Sequence, residues 1–172
     1  MTLTPPGGWA RWTVVLCKPD ATERGLVAPI LEWIAGTVTI VQAREVVVAA
    51  GQILAHYADM VALQHKFPFD VQQELVGHYA GSTVTVALCR GDTDDTAQRV
   101  RDLLGHYDPS QALPTSIRGY YGRDSAERAA AEGRFIRNLV HSSDNPKDAA
   151  LDFTIWFGEP YRHILTQEAR AR

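Results

Sequence analysis

Thr13-Val14-Val15-Leu16-Cys17-Lys18-Pro19-Asp20 sets the frame in which the rest of the chain is read. Its first five residues form a β-branched, apolar run that stops at Lys18-Pro19-Asp20. A short apolar run closed by a turn signal reads as a buried strand feeding a loop. Working outward, Leu26, Ile30, Leu31 and Ile34 recur at helical spacing over Leu26–Ala35, and Gly36 stands where a helix would end. Thr37–Val48, long and rich in valine, reads as a second strand. Ile53–Leu63 is helical in pattern, and another helix is expected over Asp70–Tyr79, after the Phe67-Pro68-Phe69 breaker. Ser82–Cys89 alternates as a strand does, and Asp95–Leu104 puts Ala97, Val100 and Leu104 on one helical face. Gly105–Gly119, with Pro109 and Pro114, reads as irregular; Leu139–His141 as a short strand; and Asp148–Phe157 as a last helix. Met1–Trp12 reads as a loose arm.

The order β-α-β-α-α-β-α-loop-β-α suits an α+β fold, a ferredoxin-like sandwich in which a four-stranded antiparallel sheet carries helices on one face. At 172 residues the chain is the size of one domain, 1–172. The apolar (45%) and charged (22%) fractions are those of a globular protein rather than a disordered one. A formal net charge of −3 supplies no general attraction to nucleic acid or to an anionic membrane, so neither is expected as a partner. Any phosphate chemistry would need a local cluster of cations. No stretch reaches the ~18 apolar residues of a membrane helix, and Met1–Gly8 lacks the features of a signal peptide. The expectation is a cytoplasmic protein with Cys17 and Cys89 as buried thiols.

Four local features carry candidate chemistry. Lys18 leaves a buried strand and places a point charge at the sheet edge, where a phosphate can sit; an ordinary solvated turn lysine is the bland alternative. Arg101 follows core residue Val100 and lies at the border of the apolar helix face, whereas Arg99, about 200° away, belongs to the wet face. Thr115-Ser116-Ile117-Arg118-Gly119 offers hydroxyls and a guanidinium suited to bidentate phosphate contact. Asn138-Leu139-Val140-His141-Ser142-Ser143-Asp144 looks like a strand delivering His141 to a polar turn. A neutral imidazole keeps a nucleophilic lone pair near neutral pH. His56, His65, His78, His106 and His163 read as surface or boundary residues.

Taken together and in this order, these features resemble the nucleoside diphosphate kinases. The resemblance rests on Lys18-Pro19-Asp20, His56-Tyr57, Arg101-x-x-Leu104-Gly105, Ser116-Ile117-Arg118-Gly119, Asn138-x-x-His141-x-Ser143-Asp144 and Ile155-Trp156-Phe157. It spans Thr13–Phe157, and the Asn-x-x-His-x-Ser-Asp element is its most specific part.

The resemblance implies that His141 attacks the γ-phosphate of a nucleoside triphosphate and then passes the group to a nucleoside diphosphate. It casts Lys18 and Arg118 as stabilisers of the transferring group and Arg101 as a contact to the outer phosphates. Asn138, with Lys18, would hold the ribose hydroxyls, and Phe69 would stack on the base. Tyr57 and Ser143 would arrange the surroundings of the histidine. Mg2+ would arrive bridging the nucleotide phosphates, with no metal site of the protein's own, and the chain would assemble as a homo-oligomer.

The sequence departs from the family pattern in four places, one being a stretch between Tyr57 and Pro68 a few residues longer than usual, which leaves Phe67 open beside Phe69 as the stacking ring. Tyr107 stands where the family has a phosphate-contacting threonine, so its phenol would act from farther out. Asp152 replaces the glutamate that orients the imidazole, shorter by one methylene. A segment at 120–136 is about ten residues longer than usual; Asp124-Ser125-Ala126-Glu127 suggests a capping box, and a helix is expected over Ser125–Glu132. Two other readings stay in play: a specialised relative acting on one unusual nucleotide, and a nucleotide-binding or assembly module without turnover. Retention of Lys18, Arg101, Arg118, Asn138 and His141 together argues against the module.

Overall fold

A computed structural model describes residues 4–167 of the chain. Strand β1 (Trp12–Cys17) is followed by a short helix α1 (Pro19–Glu23), helix α2 (Val27–Ala35) and strand β2 (Thr39–Val47). Helices α3 (Ala50–His56), α4 (Ala58–Ala62) and α5 (Val71–Tyr79) precede β3 (Thr83–Arg90) and α6 (Thr96–Leu104). Then come α7 (Ile117–Tyr121), α8 (Ala126–Ala131), β4 (Val140–Ser142), α9 (Pro146–Trp156) and α10 (Arg162–Gln167). The four strands lie in the order β2-β3-β1-β4, and every neighbouring pair is antiparallel. This is the expected ferredoxin-like sheet.

The sheet is covered on both faces, not on one. Every residue of β1 is buried. Val14 and Leu16 join Val86, Leu88, Ile53, Leu75, Phe153 and Trp156 in one core. Val15 and Cys17 join Ala87, Cys89, Ile30, Ile34, Val100 and Ile117 in the other. An uninterrupted apolar strand presents apolar side chains on both sides of the pleat, and each side needs its own cover. Helices α3, α5 and α9 supply one layer, and α2, α6 and α7 the other.

Four further expectations change. The arm is not loose from Trp9 onward: Trp9 is buried, its ring 5.4 Å from that of Phe153 and 6.4 Å from that of Trp12. The helix expected over Ile53–Leu63 starts earlier, with the Gln52 side chain accepting from Ala49 N–H, and breaks at Tyr57. The stretch Gly105–Gly119 is not wholly irregular, because Ser116 caps α7 by accepting from Gly119 N–H at 3.2 Å. Beyond Phe157 the chain continues into α10, which buries Ile164 and Leu165 against the first core.

The segment 120–136 does contain the expected helix, α8, capped by Ser125 accepting from Arg128 N–H. Asp124 takes no part in that cap. Its carboxylate accepts two bonds from Arg134 (2.6 and 3.1 Å) and one from Arg137 N–H at 2.7 Å. Burial alone would raise the Asp124 carboxyl, yet these contacts hold it down at about 2. At the N-terminal end of α8, Asp108 also accepts from Ala126 N–H at 3.1 Å, and it accepts from Ser110 N–H at 2.9 Å. The segment is thus pinned to the proline-bearing loop on one side and to the start of β4 on the other.

Candidate active site

β4 lies at an edge of the sheet, where His141 pairs with Leu16 across β1. Alternation along the strand turns Val140 into the second core and His141 toward the face covered by α3 and α9. Just before β4, Leu139 adopts φ 73°, a conformation an L-residue rarely takes, and Val140 N–H closes a tight turn onto Asn138 O at 2.8 Å. The turn is held from outside: Asp20 accepts from Leu139 N–H at 2.9 Å, and Lys18 N–H donates to Leu139 O at 2.8 Å. The Lys-Pro-Asp motif therefore fixes the backbone that presents Asn138 and His141.

Behind His141 sits a buried carboxylate. Asp152 Oδ2 accepts the Ser143 hydroxyl at 2.8 Å and lies 3.7 Å from His141 Nε2. Ser143 Oγ in turn accepts from Val14 N–H at 3.1 Å, which anchors the pair to β1. Asp152 Oδ1 is 2.8 Å from His56 Nδ1, and Trp156 Nε1–H is aimed at the same nitrogen from 3.2 Å. The carboxylate contact is the shorter and carries charge, so Nδ1 of His56 holds the proton. His56 Nε2 is buried without a hydrogen-bond partner. Burial works against ionising Asp152, but the two imidazoles keep its carboxyl well below the usual range.

The Asp152 carboxylate stands off from His141. The 3.7 Å gap to His141 exceeds hydrogen-bond length, while His56 and Ser143 take the carboxylate at 2.8 Å. His56 is accordingly no surface histidine. It is buried, and its ring lies 4.5 Å from that of His141 at an interplanar angle of 84°. Its place next to Tyr57 in the sequence was the available signal; which elements would close around it was not written there.

In front of His141 is a cavity of about 310 Å³ whose lining includes Lys18, Arg101, Tyr107, Arg118, Asn138 and His141. Lys18 Nζ donates to Asn138 Oδ1 at 2.7 Å, and Asn138 Nδ2 donates to Tyr107 O at 2.8 Å. Burial, then the neighbouring Arg118, drive the Lys18 ammonium down to about 7. Arg118 donates to Gly105 O at 3.0 Å and to Val140 O at 2.7 Å, which leaves Nε buried without a partner. Gly105 has φ 81°, and a Cβ there would meet Ser116 Oγ at 2.3 Å, so the turn that offers this carbonyl requires glycine. Arg101 reaches the cavity while paired with Asp144. Tyr57 also lines it, its hydroxyl 3.3 Å from that of Tyr79 and its phenol pushed up to about 12 by burial.

Phe69 does not fit its expected place. It packs against Phe67 and Phe135 outside this cavity, and of the three rings it is Phe135, at the end of the inserted segment, that lines the space in front of His141. Tyr107 lines the cavity with a side chain that stays largely exposed.

Among the described residues, the only group with metal-ligating spacing is His56, His141 and Asp152, whose ligand atoms lie within 4.8 Å of one another. No acidic side chain lines the cation-rich cavity. The carboxylates of Asp59, Asp144 and Asp148 instead border a separate pocket on the other side of His141. A cation that came with a phosphate ligand would be held by the ligand.

The chain was compared with known proteins. Residues 11–161 match the family model described as nucleoside diphosphate kinase. A nucleoside diphosphate kinase of Pyrobaculum aerophilum is 30% identical over 175 residues, covering 86% of this chain and 94% of the relative. One from a Nocardioides species is 35% identical over 146 residues, covering 84% and 95%. Among solved structures, a transition-state mimic of the Borrelia burgdorferi nucleoside-diphosphate kinase, with bound vanadate and ADP, superposes with a TM-score of 0.77 at 26% identity. It covers 87% of this chain and 88% of its own.

Proposed function

From the premise that the chain belongs to the nucleoside diphosphate kinase family, we propose that it moves the γ-phosphate of a nucleoside triphosphate to a nucleoside diphosphate through a phosphohistidine at His141. The observation that carries this reading is one imidazole set between a buried carboxylate and a cavity lined by Lys18, Arg101 and Arg118. With Asp152 on the Nε2 side, Nδ1 is the free nucleophile. Its lone pair forms the N–P bond as the bond from the γ-phosphorus to the bridging oxygen breaks, and that electron pair leaves with the diphosphate. The second half-reaction reverses the step on a new acceptor.

Phosphoryl transfer asks mainly for alignment and dispersed positive charge, and these side chains supply both. Arg118, fixed by two carbonyls, and Lys18, fixed by Asn138, would face the equatorial oxygens. Arg101 would exchange its Asp144 partner for an outer phosphate. Asp152 would balance the imidazolium character that His141 gains once phosphorylated. A divalent cation, Mg2+ in our reading, would bridge the nucleotide phosphates, consistent with a cavity that lacks carboxylates. Membership further supports homo-oligomeric assembly and a cytoplasmic setting; no helix among the described residues is long and apolar enough to cross a membrane.

The test is incubation with γ-labelled ATP and magnesium, followed by a chase with several diphosphates. Acid-labile, base-stable label that passes to each diphosphate is the expected result, and absence of label defeats the proposal. The pH dependence is a second test. Burial, reinforced by nearby His56, pushes the His141 imidazole down to about 4, so it stays neutral and nucleophilic above that pH. Lys18 is cationic only below about 7. The kcat/KM for phosphoenzyme formation, which reports the free enzyme, is therefore expected to rise through about 4 and fall through about 7. A profile that stays flat from neutrality into the alkaline range contradicts this assignment.

A further inference from the structure

The cavity in front of His141 has two chemically distinct parts. One carries the cations. Apart from Asn138 and His141, the rest of the lining is apolar or aromatic: Met60, Leu75, Phe135 and Ile136, with the phenols of Tyr57, Tyr79 and Tyr107. We propose that Phe135, on the inserted segment, is the ring on which the nucleobase stacks; this rests on the nucleotide reading above and deepens it.

Three observations carry the assignment. Of the three clustered rings, Phe135 is the one that reaches the cavity. Phe67 and Phe69 hold it from the far side, with centroids at 5.1 and 5.0 Å and interplanar angles of 73° and 89°, so neither stacks flat on it. The ring is also fixed in advance by its own segment. Arg134 grips Asp124 through two hydrogen bonds, Arg137 N–H donates to the same carboxylate, and the Arg137 side chain pairs with Glu74 of α5 at 2.6 Å. A ring held in place loses little freedom when a base lands on it, and an aromatic face accepts any base. The insertion therefore acts as part of the nucleoside site, and its role extends to ligand binding.

The experiment compares binding of ADP and of inorganic pyrophosphate to wild type, Phe135→Leu and Phe135→Tyr by titration calorimetry. Leucine keeps apolar bulk against Phe67 and Phe69 but removes the flat face; tyrosine keeps both. Phe135→Leu is expected to weaken ADP binding by about fivefold or more, while pyrophosphate, which has no base, shifts by less than about twofold. Phe135→Tyr is expected to stay within about twofold of wild type for both ligands. ADP bound equally well by Phe135→Leu overturns the proposal. So does a parallel loss of pyrophosphate, which would mean that the segment has collapsed, or a larger ADP loss in Phe69→Leu, which would return the role to Phe69. Failure of wild type to bind either ligand defeats the nucleotide reading itself, a result distinct from all of these.

Discussion

His141→Ala is expected to lose phosphoenzyme formation by about 10^4-fold or more, with nucleotide binding largely retained. The imidazole is the only nucleophile that the fold sets between a buried carboxylate and the cation-lined cavity among the described residues. Lys18, Arg101, Arg118 and Asn138 make their contacts with one another or with backbone and Asp144, and none of those contacts passes through the His141 ring. The phosphate site therefore outlives the substitution. His141 is partly exposed on an edge strand, so the truncation leaves no deep core cavity behind. Two measurements check this: acid-labile label from γ-labelled ATP, and ADP affinity by calorimetry. Wild-type labelling of the variant would remove His141 as the phosphate carrier, and loss of both readouts together would show that the ring supports the fold.

The second large effect is expected at Arg118. Truncation to alanine removes a cation from the transferring group and also cuts the tie between Gly105 O and Val140 O, the loop and the catalytic strand. The chemical loss is expected to be about 10^2- to 10^3-fold in kcat, the scale seen when one pre-set donor is removed from a transition state. The two vacated carbonyls add about 1–3 kcal/mol of lost stability. Arg118→Lys separates the two roles. Lysine keeps the charge, but a single ammonium on a flexible stem cannot span both carbonyls in the fixed fork of a guanidinium. The lysine variant should recover part of the stability and little of the rate, as read by thermal denaturation and steady-state kinetics. Full recovery of the rate by lysine would mean that geometry at this position is unimportant.

How much of this was legible beforehand depended on how local the signal was. β1, β3, α2, α5 and α6 could be read because their patterns are carried by consecutive residues. The helix in the insertion was found for the same reason, from Ser125 and the alanine run. That Asn138, His141 and Ser143 lie close together was legible because one short motif fixes their spacing, and the place of Lys18 because it ends an obvious strand. The misreadings share a cause. His56 looked like a boundary histidine because its partners, Asp152 and Trp156, lie 96 and 100 residues away. Trp9 looked like part of a free arm because its partner Phe153 is even more remote in sequence. Phe69 was weighed only against its neighbour Phe67, because nothing in the local pattern says that Phe135, 66 residues on, packs against both.

By itself, the order of residues determined the four strands and the main helices between them, since each rests on side chains a few positions apart whose periodicity is visible directly. Packing decided the remainder: that helices cover both faces of the sheet, that the Asp152 carboxylate is shared between His56 and Ser143 and stands off from His141, and that Phe135 lines the cavity in front of His141. Those outcomes depend on distances between residues far apart along the chain, which are set only when competing apolar surfaces and hydrogen-bonding groups are satisfied together in three dimensions.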